Sequence, residues 1–171
     1  MRKLLTLKPI LLEKTVKNYR DGLSEKEFKY HSLYMDIAKR ISEMSYAKRA
    51  QVGCVIVKGD RIISMGWNGM PSGMDNVCED FAFDETNTLK STTRKEVLHA
   101  EANAILKLAK YGSSADGATL YTTMAPCFDC AKMIFQSGIT TLVYSEAYRD
   151  SEPLRFLYTK PGFNILTMEN Y

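Results

Sequence analysis

Polar and apolar positions divide the chain into a series of short elements. After Ser24, apolar side chains recur at Tyr30, Tyr34, Ile37, Ile41 and Met44, with gaps of 4, 3, 4 and 3, which is one stripe of an amphipathic helix. Ser24 followed three residues later by Glu27 is a capping box that marks its start. Val52–Val57 is a nearly continuous apolar run, as in a strand covered on both faces. Lys58-Gly59-Asp60 is a tight polar turn, and residues 61–67 return as the hairpin partner. Gly66, Gly69, Pro71 and Gly73 then open a loop, and residues 74–95 are polar and aperiodic, with no element assigned.

Helical periodicity resumes from about Val97 to Lys110 and stops at Gly112 in the C′ role. Residues 118–123 read as a strand, 127–137 as a helix closed by Gly138, and 140–145 as another strand. Asp150 or Ser151 caps a short helix to Tyr158, Pro161-Gly162 ends it, and 163–167 forms a last strand. Strands alternating with crossover helices predict an α/β fold, a three-layer αβα sandwich around a five-stranded mixed sheet. Residues 1–27 are expected as an N-terminal extension, weakly structured or helical up to Asp21-Gly22, and residues 28–171 as a single domain.

Composition narrows the class. With 171 residues, 45% apolar and 25% charged, the chain suits one globular domain with a real core. Four cysteines are too few for a disulfide scaffold. The start, Met1-Arg2-Lys3-Leu4-Leu5, is interrupted by Lys8, Pro9 and Glu13 before it reaches the length of a signal or membrane segment. The expected location is therefore the cytoplasm, or the host cytoplasm if the source is viral, with no membrane partner. The net charge of +3 is uneven: residues 1–20 hold six cations against Glu13, leaving 17 cations and 19 anions in the other 151 residues. A slightly acidic body lacks the electrostatic footprint for wrapping a polynucleotide, so no nucleic-acid partner is expected.

Candidate chemistry lies in His99-Ala100-Glu101 and Pro126-Cys127-Phe128-Asp129-Cys130. Cys127 and Cys130, three apart at a helix start, present their sulfurs to one side, and the helix N-terminus favours the thiolates a metal requires. With one imidazole from His99, the donor set suits zinc. Taken singly, each piece has an ordinary reading: a redox pair, a surface histidine, a helix carboxylate. Together they form the His-x-Glu and Pro-Cys-x-x-Cys pattern of zinc deaminases. A closed structural site with Cys54 or Cys78 as fourth ligand is the rival, but it leaves Glu101 without a task. His99 and Glu101 stand about 200° apart around an ideal helix, so they converge only if the helix end itself points into the site.

With His99-Ala100-Glu101-Ala102-Asn103-Ala104-Ile105, Ala125 to Lys132, Gln51-Val52-Gly53 and the loop Gly66-Trp67-Asn68-Gly69-Met70-Pro71-Ser72-Gly73, the chain resembles the deoxycytidylate (dCMP) deaminases over about residues 28–167. The resemblance implies a cytidine deaminase-like fold and zinc-dependent hydrolysis of dCMP to dUMP and ammonia, with His99, Cys127 and Cys130 on zinc and Glu101 as the catalytic proton carrier. It also implies Asn68 at the sugar, and Arg49, Tyr148 and Arg149 at the 5′-phosphate. Many relatives are homohexamers activated by dCTP and inhibited by dTTP, with magnesium on the triphosphate, and Gly66, Trp67 and Gly69 match the loop associated with that control. Trp67 stands where the family usually has Tyr. Gly-Trp-Asn is also similar to transfer-RNA adenosine deaminases, which place Arg where this chain has Gly69. Some viral members carry a second zinc on extra Cys and His; the loop here has only Cys78 and no His, so no second metal is expected. Alternatives are a deaminase of dCTP or another free nucleotide or base, a riboflavin-pathway or guanine deaminase, and a tRNA- or single-stranded-DNA-editing enzyme.

Overall fold

The computed structural model describes residues 17–18 and 23–168. Helix α1 (Glu25–Ser42) starts at the expected capping box: Ser24 Oγ accepts from the Glu27 amide at 3.3 Å and the Glu27 carboxylate accepts from the Ser24 amide at 2.9 Å. Its buried face is Tyr34, Met35, Ala38 and Ile41, whereas Tyr30 and Met44 of the expected stripe are exposed. The cause is a close approach to the next strand. A Cβ on Gly53 would fall 2.0 Å from the Ala38 carbonyl oxygen and 2.6 Å from the Ser42 amide nitrogen. The helix therefore rests on bare backbone along a line through Ala38, and Met44 falls past its last turn.

Strands β2 (Gly53–Lys58) and β3 (Arg61–Trp67) pair antiparallel around Gly59-Asp60, whose φ angles of 55° and 57° are those of a two-residue hairpin turn. Strands β4 (Glu79–Phe83) and β5 (Leu89–Thr93) form a separate hairpin inside the unassigned segment. Periodicity is silent there because the hairpin buries almost no side: Phe81, Phe83 and Leu89 are all exposed. Turn chemistry specifies it instead, since the Asp84 carboxylate accepts from the Thr86 and Thr88 amides at 2.9 and 3.0 Å.

The remaining elements are α2 (Ala100–Tyr111), β6 (Thr119–Met124), α3 (Phe128–Gln136), β7 (Thr141–Glu146), α4 (Glu152–Tyr158) and β8 (Asn164–Thr167). The expected five-stranded mixed sheet forms in the order β8-β7-β6-β2-β3, parallel from β6 to β8 and antiparallel at β6–β2 and β2–β3. A two-residue strand, β1 (Lys17–Asn18), adds to the outer edge of β8 in parallel. The rest of residues 1–22, expected as an extension, lies outside the described residues.

Alternation along β2 builds the three layers. Val55 and Val57 face the core under α1, with Met35 and Tyr121, while Cys54 and Ile56 face the core shared with α2, α3 and α4, with Leu108, Ile134 and Leu157. Gly66 does for α2 what Gly53 does for α1. A Cβ there would meet the Ala100 carbonyl oxygen at 2.4 Å and the Ala104 amide nitrogen at 2.6 Å. The first turn of α2 is thus pressed onto β3, and that contact fixes where the helix N-terminus points.

Candidate active site

His99 and Cys127 are the N-cap residues of α2 and α3, both with extended backbone (ψ 157° and 172°), and neither side chain caps its own helix. They face each other instead. His99 Nδ1 lies 3.3 Å from Cys127 Sγ and 3.5 Å from Cys130 Sγ, and all three donor atoms fall within 4.8 Å of one another. Bonds of roughly 2.3 Å to sulfur and 2.05 Å to nitrogen at tetrahedral angles require a nitrogen–sulfur spacing of about 3.6 Å. Donor types and spacing therefore fit zinc. The extended backbone at His99 also removes the 200° difficulty, because the residue sits just outside the helix and swings away from the helical wheel.

Hydrogen bonding from Cys130 pulls the Cys127 thiol down to about 4, helped by His99 and opposed by burial. Cys130 is pushed up, chiefly as the proton-bearing partner of Cys127 and then by burial. The pair thus favours a thiolate at Cys127. A divalent cation held here would supply the charge that ionises the other sulfur.

Glu101 is buried, 3% exposed, in the first turn of α2. Burial raises its carboxyl above the usual range. Thr122 Oγ1 donates to Glu101 Oε1 at a long 3.4 Å and to the Met124 carbonyl at 3.0 Å. The two other cysteines stay apart from the cluster. Cys54 is sealed in β2, its thiol pushed up by burial, and Cys78 packs with Ala47 and Val97. Among the described residues, His99, Cys127 and Cys130 form the one group of three metal-ligating side chains.

A cleft of about 510 Å³ opens onto His99, Glu101 and Cys127, and it gathers Arg49, Asn68, Tyr148 and Arg149 along its walls. All four expected substrate residues therefore border one space. Asn68 is 9% exposed; its Oδ1 accepts from the Val52 amide and its Nδ2 donates to the Ala50 carbonyl, both at 2.8 Å. One lone pair and one N–H of the amide remain for a ligand. Arg49 Nη1 donates to Thr93 Oγ1 at 3.0 Å, and Tyr148 is 40% exposed.

Gly66, Trp67 and Gly69 do not border this cleft. Gly66 seats α2, the Trp67 carbonyl accepts from Asn103 Nδ2 at 3.0 Å, and Gly69 exchanges backbone hydrogen bonds with Leu98 at 2.9 and 3.0 Å. The Lys107 ammonium lies over the Trp67 ring, 4.5 Å from its centre. Sequence reasoning missed Glu79 and Thr93, which also line the cleft. They sit in the hairpin that carries no periodic signal, and nothing in their neighbours singled them out.

Two helix N-termini that present one imidazole and two sulfurs beside a buried carboxyl, under an open cleft, match the arrangement of residues that defines hydrolytic zinc deaminases. Sequence comparison is more specific. Residues 28–146 match the cytidine and deoxycytidylate deaminase zinc-binding region, and the chain belongs to that family. It is 39% identical over 156 residues to the deoxycytidylate deaminase of Enterobacteria phage T4, covering 71% of this chain and 80% of the relative. The human deoxycytidylate deaminase is 33% identical over 137 residues, covering 75% of this chain and 74% of the relative. The crystal structure of dCMP deaminase from the cyanophage S-TIM5 in complex with dCMP and dUMP superposes with a TM-score of 0.72 at 38% identity, over 85% of this chain and all of that one.

Proposed function

We propose that this chain hydrolyses dCMP to dUMP and ammonia, with residues 28–171 acting as one deaminase unit. The observation that carries the reading is a buried carboxyl, Glu101, beside the His99, Cys127 and Cys130 donors in a cleft walled by two arginines. His99, Cys127 and Cys130 would hold zinc, which would supply the Lewis acidity that makes water nucleophilic near neutral pH. Glu101 takes one proton from the attacking water and passes it to N3 of cytosine, then takes the second from the oxygen added at C4 and hands it to the leaving amine as the C4–N bond breaks. Arg49 and Arg149 bind the 5′-phosphate, Tyr148 covers it, and Asn68 offers its remaining N–H and lone pair to the sugar. The product dUMP serves thymidylate synthesis. The cleft volume is enough for one nucleotide.

Regulation belongs to the same proposal and rests on the family likeness. It comprises activation by dCTP, inhibition by dTTP with magnesium on the triphosphate, and a homohexamer. Gly66, Trp67 and Gly69 belong to the loop assigned to that control. The chain acts in the cytoplasm; among the described residues no helix is long and apolar enough to cross a membrane.

Ammonia release across dCMP, dCTP, deoxycytidine, CMP, guanine and single-stranded DNA, each with and without dCTP or dTTP, tests the whole. The expected outcome is a preference for dCMP and sigmoidal kinetics that dCTP makes hyperbolic. Turnover confined to guanine or DNA overturns the substrate, and effector-independent rates overturn the regulation.

A further inference from the structure

The β4–β5 hairpin lies outside the central sheet, yet its base reaches the cleft through Glu79 and Thr93. These two residues face each other across the ladder as register partners. Glu79 is a buried carboxylate, 4% exposed, and its Oε1 accepts from two consecutive amides, Lys48 at 2.9 Å and Arg49 at 3.2 Å. Thr93 Oγ1 accepts from the Arg49 guanidinium at 3.0 Å. One rung of the hairpin thus grips a single loop residue at both ends, by its backbone and by its side-chain tip. Arg49 has a long, rotamer-rich side chain that loses conformational freedom when it binds an anion, and a site that holds the guanidinium beforehand lowers that cost.

We infer that Glu79 and Thr93 are positioning residues that preset Arg49 for an anionic group on the substrate, so that the hairpin sets the preference for nucleotide over nucleoside. The inference rests on the reading of Arg49 as a phosphate binder. Its signature is selective. Loss of the grip weakens dCMP more than deoxycytidine, whereas a merely structural defect weakens both alike.

The test uses Thr93→Val, nearly isosteric, together with Glu79→Ala and Glu79→Gln, in the zinc-loaded full chain. It reads kcat and KM for dCMP and deoxycytidine, and calorimetric affinities for dUMP and deoxyuridine. In Thr93→Val, loss of one exposed hydrogen bond is expected to raise KM for dCMP roughly threefold to tenfold. The dCMP-to-deoxycytidine ratio of kcat/KM and the dUMP-to-deoxyuridine affinity ratio fall with it. Glu79→Ala lowers the same ratios, and Glu79→Gln, which keeps an acceptor for the two amides, restores most of the loss. Added to Arg49→Ala, Thr93→Val changes the ratios no further. If Arg49→Ala lowers the ratios while Thr93→Val and both Glu79 variants leave them untouched, the positioning role is wrong and phosphate binding by Arg49 stands. Unchanged ratios in Arg49→Ala itself remove the phosphate reading and the inference together.

Discussion

In the proposed mechanism, His99, Cys127 and Cys130 bind the metal and Glu101 moves protons. Burial raises the Glu101 carboxyl, which makes its carboxylate a stronger base for a proton it is to take up and pass on. Glu101→Gln keeps the shape and removes that capacity. It is expected to retain stoichiometric zinc and an unchanged melting temperature while losing about 10²–10⁴-fold in turnover. Metal analysis and ammonia release on the same preparation check this; near-wild-type release by a zinc-loaded variant overturns the assignment. The grouping of His99, Cys127 and Cys130 was legible in the sequence because metal ligation ties residue type to spacing. Glu101 was singled out by the His-x-Glu pattern, and Arg49, Asn68, Tyr148 and Arg149 by family likeness; all five border the cleft. Glu79 and Thr93 were not singled out, since a carboxylate whose task is to hold two backbone amides leaves no mark on the surrounding pattern.

Elements, rather than side chains, decide whether the donors meet. Both ligand-bearing helices aim their N-termini inward, and α2 is held in that pose where it touches bare backbone at Gly66. Gly66→Ala forces helix and strand apart. Overpacking of this kind costs about 1–3 kcal/mol, a fall of several degrees in melting temperature for a chain of this length. Turnover is expected to fall alongside it, because His99 and Glu101 ride on the displaced end. An altered effector response at unchanged melting temperature would assign Gly66 to regulation instead. The α/β order and most boundaries were readable from periodicity, since Val52–Val57 and the crossover helices bury continuous faces. The β4–β5 hairpin buries too little to give a period, and the register of α1 is set by a missing Cβ at Gly53 that a hydrophobic stripe cannot reveal.

For the molecule as a whole, stability carries a pH dependence remote from the chemistry. His31 of α1 meets the Tyr121 hydroxyl of β6 at 2.9 Å, and burial lowers its pKa while nearby Glu27 opposes the shift. The folded state therefore prefers neutral imidazole, and the unfolded chain binds more protons between the lowered pKa and about 6.5. Stability gained as pH rises through that window is lost on acidification, with the loss complete below the folded-state pKa. The melting temperature is expected to drop between pH 7.5 and 5.5, and His31→Gln to shrink that drop; an unaltered drop would clear His31 of the effect. Strand β2 spans six residues, roughly 20 Å, from its start beside the cleft to the turn at Gly59-Asp60. Of the two hairpin tips among the described residues, the one between β4 and β5, where Asn87 has a φ of 57°, belongs to the element that grips Arg49, and the one at Gly59-Asp60 stands a full strand away from the cleft. A fluorescent tag, an affinity handle or a spliced-in reporter is expected to be tolerated better at that second tip, which does not border the cleft.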